Sequence, residues 1–333
     1  MKNKLKLALA AVFIVLSATN YAAAQTTLLN VSYDVAREFY KDYNAAFIAN
    51  YKKTTGKDIK IDQAHGGSSA QARAVNDGLE ADVVTMNTTT DIDFLASTGV
   101  VAKDWTKRFP GNASPTSSTM LFLVRNGNPK NIKDWDDLIK PGIQVIVVNP
   151  KTGGNGRYAY LAAWGQVRKK GGTDAQAAEF VGKLYKNVPV LAKGGRDATT
   201  IFLQRNIGDV LVTFESEVVS VDREFGAGKV DAIHPPISIV ADNPVAIVER
   251  SVAKKGTTEL AKAYLDYLYS DEAQEIAAKH ALRPRSPAIL KKYASTFKPL
   301  QLFSVNEYFG SFAEAQKVHF NDGGQFDKLY TVK

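Results

Sequence analysis

Short apolar runs rich in β-branched residues alternate along the chain with stretches of helical period. Lys60-Ile61-Asp62, Asp82-Val83-Val84, Gln144-Val145-Ile146-Val147-Val148, Val188-Pro189-Val190-Leu191 and Asp209-Val210-Leu211-Val212 predict strands. Between them Ala72, Val75 and Leu79, and further on Ile201 and Phe202, recur at helical spacing. From Glu259 to Ala278 a stripe of Leu260, Ala263, Tyr264, Tyr267 and Leu268 predicts one long helix. Strands alternating with helices predict an α/β protein with mostly parallel sheets. At 333 residues the chain is long enough for two domains. The apolar segments 119–124 and 244–248 are flanked by turn residues and read as strands crossing between two lobes. The expected organisation is therefore lobe 1 from 25–118 plus 246–282, lobe 2 from 119–245, and a C-terminal segment 283–333 packing on both.

The first 24 residues follow a different logic. Lys2, Lys4 and Lys6 precede an apolar run from Leu7 to Ser17, and Ala22-Ala23-Ala24 offers small residues for cleavage before Gln25. The run is shorter than the roughly 20 residues a spanning helix needs, so 1–24 predicts a cleavable signal peptide and a periplasmic protein. Its removal takes three lysines and no acid, lowering the formal charge from +8 to +5. The remaining basic residues form no block, which argues against nucleic acid as a partner. The sequence holds no cysteine, which excludes a thiol nucleophile, a cysteine metal cluster and a lipid-modified cysteine. Its four histidines, His65, His234, His280 and His319, match no metal spacing. Neither a metal nor a cofactor is expected.

One pattern occurs three times: a strand, a glycine-rich loop and a helix start. The first is Ile61-Asp62-Gln63-Ala64-His65-Gly66-Gly67-Ser68-Ser69. The second runs from Val148 through Asn149-Pro150-Lys151-Thr152-Gly153-Gly154-Asn155-Gly156 to Arg157. The third is Leu191-Ala192-Lys193-Gly194-Gly195-Arg196-Asp197. Glycine lets the backbone approach a ligand, and the helix behind it presents unpaired N–H groups at the positive end of its dipole. Such a loop receives an anion without a charged side chain. A single Gly-Gly before a helix is usually only a tight turn, but three in one chain, with Ser68, Thr152 and Asn155 as neutral donors, point to a small anion. Both the Walker phosphate loop and the dinucleotide fingerprint are missing. A hydrolase is a weaker alternative, since His65-Gly66-Gly67 is accompanied by no Gly-x-Ser-x-Gly elbow.

At these loops the chain resembles the sulfate/thiosulfate-binding proteins of bacterial ABC importers. The likeness also covers Leu28 to Asp34, Phe122 to Lys130, Tyr160 to Gly165, Ile207 to Leu211 and Arg283-Pro284-Arg285. The resemblance implies a periplasmic-binding-protein fold of type II, two α/β lobes joined by crossover strands and closing over the anion. It implies a monomer, with sulfate or thiosulfate and the importer's permease as partners. Ligand contacts are expected from Gly67 and Ser68, from Thr152, Gly153, Gly154 and Asn155, from Gly195, and from Phe214. Asp34, Arg157 and Arg196 are expected to support the loops. The chain departs from sulfate-specific relatives at two positions. Gly153 stands where they offer a serine hydroxyl, and Phe214 where they donate an indole N–H. Phe214-Glu215-Ser216-Glu217 and Asn155-Gly156-Arg157 look more like the thiosulfate branch. Asp197 is a third oddity, an acid beside the third loop. Other oxyanions (molybdate, phosphate) and a ferric ion held by Tyr158 and Tyr160 are the remaining ligand alternatives.

Overall fold

A computed structural model describes residues 25–330; the segment read as a signal peptide lies outside them. Two sheets organise the chain. The first has the strand order β10-β3-β1-β2, built from β1 (Thr26–Tyr33), β2 (Ile59–Gly66), β3 (Val83–Thr85) and β10 (Val245–Ile247). Strand β1 runs parallel to β2, with Thr26 opposite Ile59 and Tyr33 opposite Gly66, and parallel to β3. Only β10 is antiparallel. Parallel strands need a crossover, and helices such as Arg37–Thr55 and Ser68–Asn76 supply it and cover the sheet.

The second sheet follows the path β12-β9-β4-β7-β5-β6. Its members are β4 (Thr116–Arg125), β5 (Val145–Val148), β6 (Leu191–Ala192), β7 (Val210–Phe214), β9 (Ile237–Asn243) and β12 (Gln301–Phe303). The short strands β8 (Val230–Ile233) and β11 (Arg283–Pro284) also pair with β4. Met120 to Val124 are all buried, as expected for a central strand covered on both faces. Strands β5, β6 and β7 are mutually parallel, so the loops leaving their C-terminal ends lie side by side.

Each sheet has its own core. One gathers residues between Leu28 and Ala113 with Val245 to Leu282, including a ring cluster of Tyr43, Phe47, Tyr264 and Tyr267. The other gathers Met120 to Ala241 with Phe303 to Phe326. The chain returns from the second sheet to the first with only Pro244 between β9 and β10. The C-terminal segment adds β12 as an edge strand and places Phe312, Phe320 and Phe326 in the second core.

Four local expectations are altered, the first by capping and the second by proline. The stretch 259–278 forms two helices, Thr258–Tyr267 and Asp271–Lys279, because the Ser270 hydroxyl accepts the Ala273 N–H and starts a new helix. The run 188–191 is a strand only from Leu191 onward, since Pro189 has no N–H to give a ladder. Leu79 lies beyond the end of its helix, and Ile201 and Phe202 sit in a π turn, Thr200–Gln204.

Candidate anion-binding site

The three glycine loops leave β2, β5 and β6 and meet where the two sheets face each other. Their helices begin at Ser68, Gly154 and Gly195, and the residue capping each is glycine: Gly67, Gly153 and Gly194. None of these caps has a side chain to offer, so the first-turn N–H groups are left to other partners. The loops touch. A Cβ on Gly67 would stand 3.1 Å from the Thr152 carbonyl, and one on Gly195 would stand 2.5 Å from Val35 Cγ1. A Cβ on Gly154 would overlap the Asn87 and Thr88 side chains. Glycine at 154 and 195 is thus what lets the halves close on each other.

Of the residues expected at the anion, Gly67, Ser68, Gly153, Gly154, Asn155 and Gly195 are brought to these helix starts. The Ser68 hydroxyl is committed to the protein, donating to Asp91 Oδ2 at 2.5 Å. Thr152, expected to offer a hydroxyl, instead donates it to the carbonyls of Lys193 at 3.0 Å and Asn149 at 3.1 Å, tying the second loop to the third. Asn155 gives its amide N–H to Thr213 Oγ1 at 3.0 Å. Phe214, the next residue along β7, is 1% exposed and lies edge-on to Tyr158 within the second core.

The supporting residues are placed by long-range contacts. Asp34, at the end of β1, accepts the Arg196 N–H at 3.0 Å and the Val35 N–H at 3.0 Å. The third helix start therefore already carries a carboxylate from the opposite half. Burial pushes the Asp34 carboxyl above its usual range, against the pull of those N–H groups. Nearby Glu217 is pushed up to about 7 by burial, with the Thr199 hydroxyl opposing at 2.7 Å and the Asp34 charge adding to the shift. The Arg196 guanidinium points outward to Glu224. Asp197 accepts the Lys193 N–H at 2.9 Å, so this acid closes its own loop. Glu215 is held by Arg283 through two bonds of 2.7 and 3.0 Å.

Arg157 does more than neighbour a loop. Its guanidinium crosses between the halves to Asp91 at 3.4 Å, Thr90 at 3.2 Å and Ser69 at 2.9 Å, while Nε holds the Pro150 carbonyl at 3.1 Å. Both charged side chains are under a tenth exposed. Asp91 also accepts from Ser69 at 2.8 Å and Thr88 at 2.7 Å. One buried carboxylate thus gathers the first loop, the helix Thr89–Ser97 and the second half. Asp91, Asn87 and Thr213 were missed from the sequence. Only Asp91 left a signal there, the Thr88-x-x-Asp91 spacing of a helix start.

The residues behind the catalytic and metal alternatives are engaged elsewhere. His65 is lowered to about 4 by burial and the Arg37 charge, and its ring faces Gln63. Tyr158 packs edge-on against Phe312 in the core, and Tyr160 bonds His319 at 3.0 Å. No cluster of three potential metal ligands occurs among the described residues.

Comparison with known proteins places the chain in a family. The family model for bacterial extracellular solute-binding proteins matches residues 33–283. A thiosulfate-binding protein of Pseudomonas aeruginosa is 56% identical over 311 residues, 93% of this chain and 94% of that protein. A sulfate-binding protein of Escherichia coli K12 is 50% identical over 315 residues, 94% and 96% of the two chains. Among solved structures, the sulfate-binding protein SubI from Mycobacterium tuberculosis H37Rv superposes with a TM-score of 0.81 at 31% identity, covering 88% of this chain and 99% of that one.

Proposed function

Because the chain belongs to the bacterial extracellular solute-binding proteins, we propose that it captures thiosulfate or sulfate in the periplasm and delivers it to the permease of an ABC importer. In this reading it is a monomer that carries its ligand and performs no catalysis. The observation that carries the proposal is the meeting of three glycine-capped helix starts, contributed by both halves, at one point. The anion would take N–H groups of Ser68, Gly154, Asn155 and Gly195, its charge spread over helix ends rather than cancelled by a cation. Since the loops come from opposite halves, the ligand favours the closed form, and the closed form is what a permease recognises.

Discrimination follows from hydrogen-bond supply. Sulfate and thiosulfate carry no proton at neutral pH, whereas phosphate keeps at least one and needs an acceptor. Two acids that would offer one, Asp197 and Glu215, are occupied by Lys193 and Arg283. Asp34 is engaged with Arg196 and Val35. A phosphate proton left unpaired costs about 1–3 kcal/mol. Thiosulfate is favoured over sulfate because Gly153 and Phe214 supply no side-chain donor, and the large terminal sulfur of thiosulfate is a poor acceptor.

Calorimetric titration of mature protein, prepared without sulfate, with thiosulfate, sulfate and phosphate tests the proposal. Tight binding of a sulfur oxyanion and no phosphate signal is the expected result. Absence of binding by both sulfur oxyanions would overturn it.

A further inference from the structure

Two buried asparagines flank the start of the helix Gly154–Lys169, one from each half. Asn87 follows β3 and is 3% exposed, and its backbone N–H lies 3.5 Å from Ser68 Oγ. Its side chain reaches across the cleft to lie against Gly154, so closely that a Cβ there would overlap the amide. The Asn87 carbonyl oxygen has no hydrogen-bond partner among the described residues, and neither has that of Asn155, which is 4% exposed. Buried amides are normally satisfied, and an unpaired one in a close-packed interior calls for a partner. The carboxamide presents a donor or an acceptor by a half-turn of its terminal torsion, and its surroundings choose between them. Here the surroundings are a 16-residue helix start with positive polarity and no side-chain cap.

We propose that Asn87 is a ligand-binding residue: its amide NH2 donates to the anion held at the Gly154 helix start, from the half opposite to that helix. The inference rests on the oxyanion-binding function above. It adds a neutral side-chain donor that the three-loop pattern does not contain. A hydrogen bond that forms only when the halves are together makes anion binding and closure one event. An asparagine suits the place, because an aspartate would set a charge against a dianion.

The test pairs titration with a direct observation of the amide. In the 15N-labelled wild type, the Asn87 side-chain NH2 pair, assigned by through-bond experiments, should shift when thiosulfate is added. N87A and N87S should bind thiosulfate about ten- to a hundredfold more weakly while the unliganded melting temperature is kept. N87D should lose binding at neutral pH. An unmoved NH2 pair in wild-type protein that binds thiosulfate, or wild-type affinity in both N87A and N87S, would overturn the Asn87 assignment alone. A wild type that binds neither sulfur oxyanion would overturn the oxyanion reading and this inference with it.

Discussion

Replacing Asp91 by asparagine keeps the shape of the buried cluster and removes its charge. The Arg157 guanidinium is then left uncompensated at a site where both side chains are under a tenth exposed. Breaking a buried ion pair by removing one partner costs about 3–5 kcal/mol. Arg157 keeps Pro150, Ser69 and Thr90 as partners, which places the expected loss nearer 2–3 kcal/mol, again as an approximate figure. Because Asp91 lies in the first half and Arg157 in the second, most of this loss falls on the closed form. If the empty protein rests open, apparent affinity drops by the full factor, about 30- to 140-fold, at 1.4 kcal/mol per tenfold. Calorimetry of D91N, R157Q and the double variant, with melting curves for each, reads the coupling directly. The effect should persist in salt, since buried charges are weakly screened. Wild-type affinity in D91N, with only the melting temperature lowered, would refute the interpretation of this pair as a latch between halves.

Other outcomes follow from single contacts. G154A drives a methyl group into the Asn87 and Thr88 side chains and should weaken anion binding by about tenfold or more, read by the same titration. Glu217 holds its proton to about 7 when folded and to its ordinary 4.5 when unfolded. Between those values the unfolded chain binds fewer protons, so this residue makes stability fall as pH rises, by up to about 1.4 kcal/mol per unit. Urea unfolding at pH 5 and pH 7.5 should show that slope reduced in E217Q. His65, depressed to about 4, contributes the opposite slope, its stability being lost as pH falls from 6.5 toward 4. Replacing it with glutamine should raise relative stability at pH 5. Y160F removes a buried hydrogen bond to His319 and should cost about 1 kcal/mol in denaturant unfolding without changing anion affinity. A loss of binding in Y160F would revive a tyrosine-held ligand.

Much of the framework was legible because it is written locally. Strands β2, β3, β5 and β7 lie where short apolar runs predict them, and each glycine pair stands at a helix start. Errors of element length trace to signals of one residue: Ser270 divides a continuous amphipathic stripe, and Pro189 trims a strand. The candidate loops were legible, since glycine and helix onset are both sequence properties. Side-chain roles were less so. Thr152 and Ser68 are polar residues in anion-type loops, yet both hydroxyls are drawn to protein acceptors that the local sequence does not reveal.

What the sequence determined by itself is the kind of chemistry: an α/β chain with three neutral, glycine-led helix starts and no cysteine. Those features depend on neighbours a few positions apart, where period and backbone freedom decide. What the tertiary structure alone decided is which groups those helix starts confront. Asp34 reaches Arg196 across 162 positions, and Arg157 reaches Asp91 across 66. Asn87 and Gly154, from opposite sheets, are set against each other. Burial and charge at such contacts come from parts of the chain that meet only once both cores have formed. The number of uncapped helix starts is therefore written locally, whereas the acid that shares one, the ion pair that joins the halves and the amide left without a partner are products of the fold.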